Sequence, residues 1–193
     1  LRVLSDSQRA QGLLAPATGD WVVVVDDPDL GPVVGRVLDR ANTVSRRDPS
    51  EAVVEQVLVA NVDRVLIVHG LDRPLPAGRL ERFLVVAWDS GAEVAVVLTK
   101  ADREPVAAAE VAAVVRALAP DVPVHVVGLP GGPRVSEGLT AVEALLEPGR
   151  TVVLLGESGA GKSTLVNALV GDEVLATGEV RTGDAKGRHT TVS

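Results

Sequence analysis

The 193 residues contain no cysteine, no methionine and no tyrosine, and the aromatic complement is two tryptophans and one phenylalanine. Without cysteine this stretch holds no disulfide framework and no thiolate metal site, so it carries no redox signature of a compartment. Without methionine it does not begin at a translation start and is expected to be a processed or truncated part of a longer polypeptide. No apolar run approaches the roughly 18 residues that a membrane-spanning helix needs, and the N-terminus has no signal-peptide layout. A cytoplasmic protein without membrane association is therefore expected. Lysine is scarce too, three against sixteen arginines, as a GC-rich genome would produce. The formal charge of −7 argues against a surface uniformly coated for nucleic acid. Arg36, Arg40, Arg46 and Arg47, against the single Asp39, nevertheless make a local basic run. Such a run is either a solvated face or a binding surface.

What the chain has in abundance is Val, Ala and Leu, within a hydrophobic fraction of 46%. Branched aliphatics on that scale suggest buried parallel strands covered by helices. The length suits one large or two small domains. Residues 1–19 are weakly patterned and end in a Pro16/Gly19 turn signal. Residues 21–25 and 33–38 read as two strands of a β-hairpin around an Asp/Pro/Gly turn, too small to hold a core alone. Residues 39–55 are polar and read as a linker. Thereafter strands (64–68, 93–98, 122–127, 151–155) alternate with helices (77–89, 106–118, 139–146, 164–170). That alternation means βαβ units and a parallel sheet. Leu80, Phe83, Leu84 and Ala87 fall on one helix face, and Trp88 is expected in the core.

The most informative segment is Gly156-Glu157-Ser158-Gly159-Ala160-Gly161-Lys162-Ser163, which fits G-x-x-x-x-G-K-[ST] between a strand and a helix. The glycines let backbone N–H groups wrap phosphates, the helix N-terminus adds partial positive charge, and Lys162 adds a full one. Ser163 is placed to ligate Mg2+, and Thr164 continues the loop into the helix. Earlier in the chain, Thr99-Lys100-Ala101-Asp102 stands at the C-terminal end of a strand, where parallel sheets bind ligands. A carboxylate there accepts two parallel hydrogen bonds from the N1–H and N2–H2 edge of guanine, a pair that adenine lacks. The stem of Lys100 can lie along the purine. Asp102 as the N-cap of the next helix is the alternative for the tetrapeptide taken alone.

The order of these two elements is the mark of circularly permuted GTPases, and the chain resembles the ribosome small-subunit-dependent members of that group. Residues 55–68 with Gly70-Leu71-Asp72, Pro148-Gly149-Arg150-Thr151 before the phosphate loop, and Gly187-Arg188-His189-Thr190-Thr191 fit the same family. The resemblance implies a permuted Ras-like P-loop sheet, parallel with helices on both faces, over residues 51–193, ending after switch I. It implies that residues 1–50 are the remnant of an OB-fold domain. It also implies GTP or GDP with Mg2+ as ligands, and the small ribosomal subunit with its rRNA as partner. The chain is expected to act as a monomer, with the family's C-terminal zinc domain absent. Thr190 or Thr191, of which Thr191 is taken as the ligand, would supply a second Mg2+-ligating hydroxyl, and His189 would position the attacking water unless it is a solvated loop residue. The function implied is GTP hydrolysis in late maturation of the small subunit, slow or absent in the isolated chain.

Three departures from the family pattern matter. Thr99 stands where many GTPases have Asn; the guanine-backing loop, Val127 to Gly132, lacks the Ser-Ala pair and keeps only a backbone role; and Gly159 replaces the Asn of potassium-activated relatives. The resemblance implies a D-x-P-G element after Ser193, and the 193 residues contain none. Two other readings stay open on sequence: a truncated guanine-nucleotide and RNA-binding module without chemistry, and an ATP-using P-loop enzyme.

Overall fold

The computed structural model describes residues 16–47, 55–128, 135–171 and 174–175. They fall into two compact units. One draws on the chain up to Val65, on Val85–Glu93 and on Gly149–Val153; the other draws on Leu66–Leu84, on Val94–Pro148 and on the chain from Leu154.

The first unit contains two antiparallel pairs. Strand β1 (Val22–Asp27) pairs with β2 (Gly31–Val37), with a register shift between Val23 and Val24. Asp27 closes the turn by accepting from the backbone N–H groups of Asp29 and Leu30 at 2.9 and 3.0 Å, the local side-chain turn that Asp favours. The hairpin leaves Trp21 72% exposed and buries only Val34 fully. The expected linker over 39–55 is corrected: Thr43–Arg47 forms β3, antiparallel to β4 (Glu55–Ala60). Its polar composition hides a strand that the fully buried Val44 anchors. Asn42 fixes the following corner by exchanging two 2.7 Å hydrogen bonds with the backbone of Val62. Arg40, counted above in the basic run, is engaged through two 2.7 Å bonds to the carboxylate of Asp20. Arg36 is exposed.

The main sheet has four strands in the order β7-β6-β5-β8: β5 (Arg64–Gly70), β6 (Glu93–Thr99), β7 (Val124–Val126) and β8 (Val152–Leu155). It is parallel, with Val96, Val97 and Leu98 of β6 opposite Val124, His125 and Val126 of β7. The connecting helices are α1 (Ala77–Asp89), α2 (Pro105–Leu118), α3 (Val135–Glu143) and, after the phosphate loop, α4 (Lys162–Val170). Strand β5 and the inner part of β6 are buried on both faces, which is why they read as continuous Val/Leu/Ile runs.

Several expectations are adjusted. Trp88 is 50% exposed, not core, because one helical step of about 100° past Ala87 carries it off the buried stripe of Leu80, Leu84 and Ala87. Strand β8, read as buried, is half-buried because it stands at the edge of these four strands. The third helix begins four residues before 139, since Gly138 lets it pack against β7: a Cβ there would lie 2.1 Å from the Val126 carbonyl oxygen. It ends at Glu143, where the chain tightens into bonds from Leu145 N–H to Val142 and from Leu146 N–H to Glu143 ahead of Pro148.

Candidate nucleotide site

The phosphate loop connects β8 to α4. Gly156 passes so close to β5 that a Cβ would sit 2.2 Å from the Val68 carbonyl oxygen. Gly159 and Gly161 adopt left-handed φ values of 75° and 89°, which glycine takes without penalty. Their conformations turn the loop into the first turn of α4, with Gly161 as the cap. Lys162 folds back to donate to the carbonyls of Gly156 at 2.8 Å and Glu157 at 2.7 Å. Burial holds its ammonium below the usual lysine range, with Glu157 pulling the other way. A desolvated cation at a helix N-terminus is a site in want of an anion. Ser163 is half-buried and Thr164 exposed, both in the first turn of α4.

The four residues Thr99 to Asp102 occupy the end of β6 and the turn beyond it. Thr99 is 1% exposed, and its hydroxyl donates to the carbonyl of Ala160 at 2.6 Å. Lys100 donates to the carbonyl of Gly159 at 2.7 Å. The two segments, some 60 residues apart in the chain, are thus joined by direct hydrogen bonds at one rim of the sheet. Ala101 N–H bonds the Val127 carbonyl at 3.3 Å, and a Cβ on Gly128 would meet Asp102 Cβ at 3.3 Å. Asp102 therefore sits against the loop leaving β7, whose residues 129–134 lie outside the described residues.

Sequence reasoning missed what happens at the end of β5. Leu71 N–H bonds the Thr99 carbonyl at 3.0 Å and carries the chain over the end of β6. Asp72 then accepts from Lys100 Nζ at 2.7 Å, and Arg73 donates to the carbonyls of Ser158 at 3.2 Å and Gly159 at 3.4 Å. Arg79 reaches from α1 to the Glu157 carboxylate at 2.9 Å. His69 is buried, with Nε2 3.1 Å from the Arg73 carbonyl, and desolvation lowers its pKa. Gly70-Leu71-Asp72 was legible only as family likeness, because charge periodicity does not reveal a contact across the sheet rim. His189, Thr190 and Thr191 lie outside the described residues.

A family model described as RsgA GTPase matches residues 37–193. The chain belongs to the RsgA GTPase family. A small ribosomal subunit biogenesis GTPase RsgA from Streptomyces coelicolor is 44% identical over 179 residues, which cover 91% of this chain and 47% of that protein. Its counterpart from Methanosarcina acetivorans is 39% identical over 179 residues, with the same coverage of 91% and 47%. The chain thus spans about half the length of the curated RsgA relatives it matches. The fold is similar to the crystal structure of YjeQ from Thermotoga maritima, with TM-score 0.61, 24% identity, and coverage of 87% of this chain and 55% of that one. It is also similar to YloQ, described as a circularly permuted GTPase, with TM-score 0.55, 22% identity, and coverage of 80% and 50%. The permuted P-loop GTPase fold expected from motif order is the fold observed.

Proposed function

We propose that this chain is the nucleotide-binding part of a GTPase that acts in maturation of the small ribosomal subunit. The observation that carries the reading is the pair of bonds joining Thr99 to Ala160 and Lys100 to Gly159, which bring a base-reading turn and a phosphate loop to one rim. The names of the curated relatives support the biological role, and the non-hydrolysing and ATP-using readings find no support among them.

In this reading the backbone of Gly156, Glu157, Ser158, Gly159, Ala160 and Gly161 surrounds the β-phosphate, and Lys162 neutralises the β and γ oxygens. Asp102 accepts from the guanine N1–H and N2–H2 groups, while the Lys100 stem covers the purine. The residues present fit Mg2+ as well: Ser163 offers a hydroxyl in the first turn of α4 beside the desolvated Lys162, and Thr191 would offer the second. Mg2+ supplies charge neutralisation of the phosphates. The chain's own part is positioning and preorganised donors, with no covalent intermediate. His189 would orient the water, Thr190 being the alternative hydroxyl.

Residues 51–193 are read as the permuted GTPase, and residues 1–50 as the remnant of an OB-type domain whose Arg36 and exposed Trp21 could meet rRNA. A cytoplasmic monomer fits this role; no described helix is long and apolar enough to cross a membrane. The test is single-turnover GTP hydrolysis by the full-length protein with and without small subunits. Slow intrinsic turnover, stimulated by the particle, is expected. A rate indifferent to the particle would contradict the role.

A further inference from the structure

We propose that Asp72 and Arg73, at the end of β5, are positioning residues that hold the base-reading turn and the phosphate loop in binding geometry before nucleotide arrives. This inference rests on the guanine-nucleotide reading above. Four observations carry it. Lys100 has a left-handed φ of 63°, a conformation that a lysine adopts only when its surroundings impose it. The Lys100 stem crosses β5 at Gly70, where a Cβ would meet Asp72 Oδ1 at 2.7 Å and Lys100 Cε at 3.3 Å, so the crossing uses the space a side chain would fill.

The third observation is that the Lys100 ammonium is shared between the Gly159 carbonyl and Asp72, both at 2.7 Å. Asp72 thus fixes the direction of a side chain that joins the base-reading turn to the phosphate loop. Its carboxyl is held below the usual carboxylate range by Lys100 and Arg73, against the opposing pull of burial. The fourth is Arg73, whose guanidinium donates to the carbonyls of Ser158 and Gly159 and also lies 3.3 Å from Asp72 Oδ1. A cation that holds loop carbonyls fixes the peptide units that carry them, and with them the N–H groups a phosphate-binding loop offers to its ligand. Asp72 therefore ties the two cations to each other, and the cations tie the purine side to the phosphate side.

The test uses the full-length protein and a fluorescent GDP analogue. Asp72→Asn removes the charge but keeps the shape, and should weaken GDP binding about tenfold, the scale of one lost charge-assisted hydrogen bond in a part-exposed setting. A double-mutant cycle with Lys100→Met separates positioning from general structure. If Asp72 acts through Lys100, Asp72→Asn adds little in the Lys100→Met background. Additive losses, or an Asp72→Asn protein that binds like wild type, overturn the inference. Arg73→Gln provides an independent arm: weaker GDP binding, recovered in part by Arg73→Lys, is expected, and wild-type affinity in Arg73→Gln contradicts it. If wild-type protein showed no preference for GTP over ATP, the guanine reading itself would fail. If it does prefer GTP while both variants behave as wild type, only the present inference fails.

Discussion

Replacing Thr99 by valine removes one hydroxyl and keeps the shape of a fully buried side chain, so its effect can be worked from one contact. The hydroxyl donates at 2.6 Å to the Ala160 carbonyl, and both residues are 1% exposed. Losing one partner of a buried hydrogen bond costs about 1–3 kcal/mol, since the remaining carbonyl is left without its donor. Taking about 2 kcal/mol, the binding-competent loop geometry becomes roughly thirtyfold less favoured. Nucleotide must then restore that geometry at its own expense, so the loss surfaces in affinity. Thr99→Val should raise Kd for GDP by roughly ten- to thirtyfold, chiefly through faster dissociation, as for most changes within one interface. Thr99→Ser keeps the donor and should stay within about threefold of wild type. Stopped-flow release of a fluorescent GDP analogue measures both. A Thr99→Val protein that holds GDP like wild type would refute the argument that this contact sets the loop.

Other outcomes follow from the same geometry. Gly156→Ala places a Cβ 2.2 Å from the Val68 carbonyl oxygen; a clash of this kind costs roughly 1–3 kcal/mol, so GDP binding in a titration should weaken by roughly five- to 150-fold. Lys162→Ala removes the half-buried cation and should abolish binding by the same titration, whereas Arg36→Ala, on an exposed side chain, should leave it unchanged. Stability should fall on acidification in two stages. His69 has a lowered pKa through burial, so the unfolded chain takes up its proton first and stability declines as pH falls below about 6.5. Asp20 has a lowered pKa, chiefly because Arg40 hydrogen-bonds it, so its stabilisation is complete above about 3.9 and is lost as pH falls through the lower folded value. Thermal melting across pH should show both limbs, and Asp20→Asn should shrink the lower one, to which Asp72 also contributes.

Much of the fold could be read from residues because its signals are local. The helix over Ala77–Asp89 announces itself through Leu80, Leu84 and Ala87 at helical spacing, and β5 and β6 through unbroken aliphatic runs. The phosphate loop was legible because its chemistry demands glycines at fixed offsets from one lysine. What escaped was non-local. Thr43–Arg47 looked like a linker because polar residues on either side of Val44 give too little hydrophobic alternation to detect. Asp72, Arg73 and Arg79 carry ordinary surface charges, and only the folded chain brings Arg73 and Arg79 to the phosphate loop and Asp72 to Lys100. Arg40 looked available to a partner until its bidentate contact with Asp20 was seen.

The central claim is that Asp102 reads a guanine whose phosphates lie on Lys162, and exchanging the hydrogen-bond polarity of residue 102 tests it most directly. An Asn amide can donate to the 2-oxo group of xanthine, where Asp can only accept. Titrating wild type and Asp102→Asn with GDP and with xanthosine diphosphate should show the preference move from the first ligand to the second, with GDP weakened at least about tenfold. An Asp102→Asn protein that still favours GDP as strongly as wild type would contradict the account.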